Sequence, residues 1–169
     1  MTGRIRLLVA AIFLAGFVGH LIAHQLFAFD DRAPRLLTIT VAVIGLRWGS
    51  VAGGYFGALG GLLLALYAGE PPFPGTAGMA AAGWLAGGIP ARFVIETYRG
   101  AALAIVTAAL FELVLVSSIR GATPPNSLRV ALWSAGWALV LGLLLYGLVR
   151  RWSAAPPISR LPKEILGKE

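Results

Sequence analysis

Residues 45–61 read "GLRWGSVAGGYFGALGG", with glycine at Gly45, Gly49, Gly53, Gly57 and Gly61, every fourth position. In a helix interior each glycine costs roughly 1 kcal/mol relative to alanine. A chain that repeats this cost at a fixed spacing needs something only the missing side chain provides. Positions four apart drift by only about 40° per step at 3.6 residues per turn, so the five glycines form a slowly winding groove. Ala65 and Gly69 extend it, and Gly83 and Gly87 repeat the device further on.

Composition supplies the medium in which such a groove is useful. The chain has 169 residues, 58% hydrophobic and 12% charged, with mean hydropathy +0.82. Soluble domains carry about a quarter charged residues. So apolar a chain has no wettable surface to offer, and lipid is its main solvent. Helices in lipid are not pressed together by the hydrophobic effect and associate through close backbone contact, which small residues permit. The expected fold is an all-α integral membrane protein, a compact bundle of six (alternatively five) transmembrane helices. Residues 1–152 form its single helical domain and residues 153–169 a polar cytoplasmic tail.

The spans follow from apolar length and proline. Ile5–Phe29 is the first, preceded by Arg4 and Arg6, and is too long for the apolar region of a signal peptide. Leu36–Leu46 is apolar but short of the ~20 residues that cross the hydrocarbon, and Arg47 closes it. The glycine stretch then runs to Gly69. "EPPFPGT" (Glu70–Thr76) reads as a loop because of its three prolines. Ala77–Ile89 is a small-residue helix stopped by Pro90, and Ala91–Gly100 a charged connector. Ala101–Ile119 and Leu128–Val149 complete the set.

Charge sets the orientation. With a cytoplasmic N-terminus the inner set is Arg4, Arg6, Arg47, Arg92, Arg99, Arg150, Arg151, Arg160, Lys163 and Lys168. The outer set is Arg32, Arg35, Arg120 and Arg129. Ten against four predicts that both termini are cytoplasmic. The net charge of +7 is accounted for by these flanks and by anionic head groups. No basic run is interleaved with aromatics, so nucleic acid is not an expected partner. Cysteine is absent, which removes thiol chemistry and disulfides.

Chemistry-bearing residues are few. Glu112 is the one acid well inside a span, where acids are costly and functional by default; a helix-packing hydrogen bond or an arginine pairing is the structural alternative. His20 and His24 stand at i and i+4, the spacing of a two-His metal site, with Asp30 and Asp31 the acids nearest in sequence. Trp133, Trp137, Tyr146 and Trp152 read as interfacial anchors. Arg92, Glu96 and Arg99 form a connector cluster able to meet a filament or a head group, or merely to mark topology. No nucleophile–base–acid set or H-E-x-x-H occurs. The expectation is therefore a non-enzyme without metal or cofactor.

The order "AVIGLRWG", "GGYFGALGGLLLALYAG" and "GTAGMAAAGWLAG" resembles the bacterial rod shape-determining protein MreD family over Leu36–Gly100, and the length and span count extend the likeness to the whole chain. The family usually carries an aspartate after its "GLLL" run, where this chain has Ala65. The resemblance implies a non-catalytic scaffold of the cell-elongation machinery that makes peptidoglycan and sets cell shape. Its place is the inner membrane, beside an MreC-like single-span protein, the MreB filament, a RodA-type glycosyltransferase and a class B penicillin-binding transpeptidase. It implies docking of the single-span partner through small-residue helix faces. The family is also distantly similar to the substrate-binding components of energy-coupling-factor vitamin transporters, which gives the alternative function. "AIFLA" (Ala11–Ala15) has the A-x-x-x-A spacing with which such components meet their partner. The central Gly53 and Gly57 are expected against a sister helix, and Gly49 or Gly60 nearer an outer surface.

Overall fold

The computed structural model describes residues 3–26, 35–93, 98–119 and 127–152. They form six helices and no strand: α1 (Gly3–Leu26), α2 (Leu36–Trp48), α3 (Ser50–Ala68), α4 (Pro72–Phe93), α5 (Tyr98–Ile119) and α6 (Ser127–Trp152). Four of them, α1, α3, α5 and α6, are long and apolar enough to cross a membrane. α2 is the exception by length. Its 13 residues rise about 20 Å at 1.5 Å each, short of the ~30 Å hydrocarbon. α4 has the length, 22 residues, but its run of glycine and alanine lacks the hydropathy.

Contacts between successive helices show that each runs antiparallel to the last. Gly16 and Gly19 of α1 face Thr40 and Leu36 of α2. Gly45 of α2 lies against Gly53 of α3, and Gly53, Gly57 and Gly61 meet Gly83, Met79 and Gly75 of α4. Gly78 of α4 faces Val116 and Glu112 of α5. Ile105 of α5 packs over Gly142 of α6, and Tyr98 over Tyr146. This alternation gathers Arg6, Arg47, Arg99, Arg150 and Arg151 at one end of the bundle, hereafter the basic end. Gly69 and Ile119 lie at the other, and the start of the shorter α2 faces it from beside Glu112.

α2 is the centre. Every residue from Leu37 to Gly45 is buried, so the helix is apolar all round because protein surrounds it all round. One core cluster joins Ile39, Ala42 and Val43 to Ala82 and Ala86 of α4, Ile105 and Ala108 of α5, and Ala138 and Val149 of α6. A second joins Leu37, Val41 and Ile44 to Val9 and Phe13 of α1 and Met79 of α4. Large apolar side chains such as Leu7, Leu14, Leu103, Val114, Leu132 and Leu144 point away from the bundle, as lipid-facing residues do.

Several boundaries differ from the sequence expectation. The five glycines do not share one helix: Gly45 belongs to α2, and Gly49 is the single residue between α2 and α3, with φ 96° and ψ 167°. That backbone region is essentially restricted to glycine, so Gly49 makes the reversal rather than lining a groove. Gly69 does not extend the groove either; it caps α3 in the left-handed region, φ 67°, with open space around it. The 70–76 loop is shorter than expected because α4 starts at Pro72. Prolines in a first turn give up only amide hydrogens that have no intrahelical partner. α4 also continues past Pro90 to Phe93, and α5 begins at Tyr98, so Arg92 and Arg99 of the expected connector belong to helices. Residues 27–29 of the expected first span, and the tail from 153, lie outside the described residues.

Candidate functional site

Two features concentrate the unusual chemistry: a buried carboxylate and a backbone-to-backbone helix contact. Glu112 sits on the α5 face that also buries Ala104, Ile105, Ala108 and Ala109, and its side chain is only 5% exposed. Its Oε2 accepts a hydrogen bond from Thr38 Oγ1 at 3.1 Å and lies 3.0 Å from Arg35 Nη1, whose side chain is 33% exposed. Both partners belong to the start of α2. Arg35 immediately precedes the helix, and its carbonyl accepts from the Ile39 amide at 3.1 Å. Thr38 is in the first turn. The carboxylate therefore lies beside the helix N-terminus, where the macrodipole favours negative charge. Two residues further on, Thr40 Oγ1 donates to the Leu36 carbonyl at 2.8 Å, which satisfies a hydroxyl buried against α1 without a partner from another helix.

This arrangement explains how α2 ends inside the bundle. A helix of about 20 Å with one end at the basic face stops short of the opposite surface. Its first amides and the arginine before it need compensation at depth, and Glu112 on the neighbouring helix provides it. The carboxylate is engaged by a cation and a hydroxyl at once, which is the geometry of a structural contact. The sequence offers an arginine pairing or a packing hydrogen bond for Glu112, and both are present, but it does not say that Arg35 and Thr38 are the partners. Pairing across 74 positions has no local signature; the only hint was two threonines and a flanking arginine on an otherwise apolar short helix.

The second feature is the α2–α3–α4 contact. A methyl group on Gly45 or Gly53 would overlap the Gly83 carbonyl, one on Gly57 the Met79 carbonyl, and one on Gly61 the Gly75 carbonyl. From the other side, Gly83 meets the Gly53 carbonyl and lies 2.6 Å, measured from the added carbon, from Val41 Cγ1, while Gly87 meets the backbone of Gly49 and Ser50. These glycines face one another inside the protein. Gly60, expected nearer an outer surface, is buried, with Leu37 and Phe13 within 3.2–3.3 Å of an added carbon.

The remaining candidates separate. His20 is buried and His24 exposed, their rings 6.4 Å apart, and among the described residues no three His, Cys, Asp or Glu side chains cluster as metal ligands. Asp30, Asp31 and Glu96 lie outside the described residues. Arg92 falls in the last turn of α4, whereas Arg99 is exposed in the first turn of α5. Trp133 and Trp137 stack edge to face at 6.0 Å near the start of α6, Tyr146 packs against Tyr98 at 5.9 Å near its end, and Trp152 is exposed. These aromatic side chains thus sit at both ends of α6. No protein-family model, curated protein or solved structure matches this chain.

Proposed function

We propose that the protein is a non-catalytic membrane scaffold of the bacterial cell-elongation machinery, multi-pass in the inner membrane with both termini cytoplasmic, and that it docks an MreC-like single-span partner. The observation that carries this reading is the coincidence of two boundaries. The stretch that resembles the MreD family, Leu36–Gly100, covers the α2–α3–α4 unit in which the glycines lock three helices backbone to backbone. A rigid core built this way suits a protein whose task is to hold others in position. Glu112, the acid at depth, is already engaged by Arg35 and Thr38, which supports a packing role over a proton or ion path. The five arginines at the basic end support a cytoplasmic placement of that end.

Because the glycine faces are spent on internal contacts, docking falls to the outer helices. Ala11 and Ala15 of α1 are both exposed, and this A-x-x-x-A face allows close approach of a partner span. Affinity purification from native membranes, with partners identified by mass spectrometry, tests the reading. Recovery of a single-span protein with an extracytoplasmic domain is the expected result. Recovery of an ATPase module instead would overturn it in favour of a transporter component.

A further inference from the structure

The geometry points to a binding site for an anionic phospholipid head group at the basic end, where Arg150 of α6 meets Tyr98 of α5. This inference stands apart from the scaffold reading and from the identity of any protein partner. Arg150 lies with its guanidinium carbon 5.4 Å from the centroid of the Tyr98 ring, inside the range of a cation–π contact. Tyr98 is itself held by an edge contact to Tyr146 at 5.9 Å, and it lies beside Gly147 of α6. An exposed arginine normally loses much side-chain entropy when it binds. Here the Tyr98 ring already holds the guanidinium in place, so less of that entropy remains to be lost.

Charge and apolar surface converge on the same place. Arg99 and Arg151, both exposed, flank Tyr98 and Arg150 in sequence. Among the described residues the acids are Glu70 and Glu112, and neither is at this end. A planar guanidinium binds phosphate through paired hydrogen bonds. Basic pockets between transmembrane helices at one membrane face are suited to head groups carrying phosphodiesters. Leu103 on α5 and Leu148 on α6 are exposed within a turn or so of the arginines and offer acyl chains an apolar track. A ligand with a doubly anionic head and several chains, such as cardiolipin, satisfies both requirements, whereas a soluble anion uses only the first.

Delipidated full-length protein in neutral detergent should be titrated with cardiolipin or with phosphatidylcholine, reading bound lipid by native mass spectrometry and melting temperature in parallel. Cardiolipin should bind and raise the melting temperature, and phosphatidylcholine should do neither. Arg150→Gln should weaken cardiolipin binding on the order of tenfold, Tyr98→Leu should weaken it by a similar factor, and Arg150→Lys should fall between. Arg6→Gln, at the same end on α1, should leave binding unchanged. Because Arg150 is exposed, its variants should melt like the parent without lipid. Equal losses from Arg6→Gln and Arg150→Gln would mean diffuse attraction and overturn the site. So would competition by low-millimolar inorganic phosphate, which would assign the cluster to a soluble anion.

Discussion

The α2–α3–α4 unit and the α5–α6 pair are both antiparallel helix contacts, yet they are built from opposite materials. In the first, glycines bring main chains together until no methyl group fits between them. In the second, side chains do the filling: Ile105 occupies the space over Gly142, with its Cγ2 2.7 Å from where a carbon would be added, and Tyr98 packs on Tyr146. The difference follows from what each helix faces. α5 and α6 carry exposed Leu103, Val114, Leu132 and Leu144 and are at home in lipid. α2 is too short for lipid and is enclosed on all sides, while α3 and α4 keep an exposed edge, at Val51, Leu66 and Trp84, and turn their glycine edges inward. Close backbone approach is the means of enclosure when the hydrophobic effect supplies no adhesion.

The largest effect should therefore come from filling the glycine contact. Gly53→Leu places a side chain where the Gly83 carbonyl and Gly45 Cα already are, and no flexible group nearby can yield. Overpacking typically costs ~1–3 kcal/mol and occasionally more, and here the obstacle is main chain, so folded protein should be lost. Gly54→Leu is the informative neighbour, because an added carbon there has its nearest contact at 3.7 Å, on Trp84 Cβ. Fluorescence size-exclusion in detergent should show aggregation for the first and a monodisperse peak for the second. Equal behaviour of the two would dissolve the distinction between the regions.

How much of this was legible in the sequence depends on the range of the interaction. The helical class, the lipid setting and the presence of a small-residue contact all follow from composition and a four-residue spacing, which are local. The break at Gly49 was hidden because periodicity cannot distinguish a glycine that lines a groove from one that turns the chain. Pro72, Pro74 and Pro90 misled in the opposite sense: position within the helix, not residue type, decides whether proline is tolerated. The carboxylate was visible as an oddity, but its partners were not, since Arg35 and Thr38 reach it only after α2 is enclosed.

A middle-sized effect is expected at that junction. Glu112→Leu removes the acceptor of Thr38 and the counter-charge of Arg35, and should cost on the order of 1 kcal/mol, the scale of interhelical hydrogen bonds in membranes. Glu112→Gln keeps an acceptor for Thr38 and should cost less. The double variant Glu112→Gln with Arg35→Gln should then recover part of the loss, because residues in direct contact couple. Melting temperatures of the parent, Glu112→Gln, Arg35→Gln and the double variant close the cycle that tests this. Additive losses would show that the ion pair contributes nothing to holding α2 against α5. A growth or cell-shape assay in which Gln is as damaging as Leu, with melting temperature unchanged, would instead indicate a role in proton or ion movement.

The smallest effect should fall on a glycine that belongs to the outer layer. Gly136 of α6 is exposed, with nothing within 4 Å of an added carbon, so within the isolated protein its small size serves no contact. Gly136→Ala should be neutral or stabilising by up to about 1 kcal/mol, the difference in helix propensity. The comparison sharpens with a larger residue. Gly136→Leu should also melt normally, since leucine at that position joins the lipid-facing row of Leu132 and Val140. If the partner span docks on the Ala11 and Ala15 face of α1, co-purification of that partner should survive Gly136→Leu and be lost in Ala15→Leu, with both variants melting like the parent. Loss of the partner in Gly136→Leu alone would move the docking face from α1 to α6. Early melting of Gly136→Leu would place this glycine with Gly53 and Gly83, and the division between a backbone-packed centre and a side-chain-packed outer layer would fail at α6.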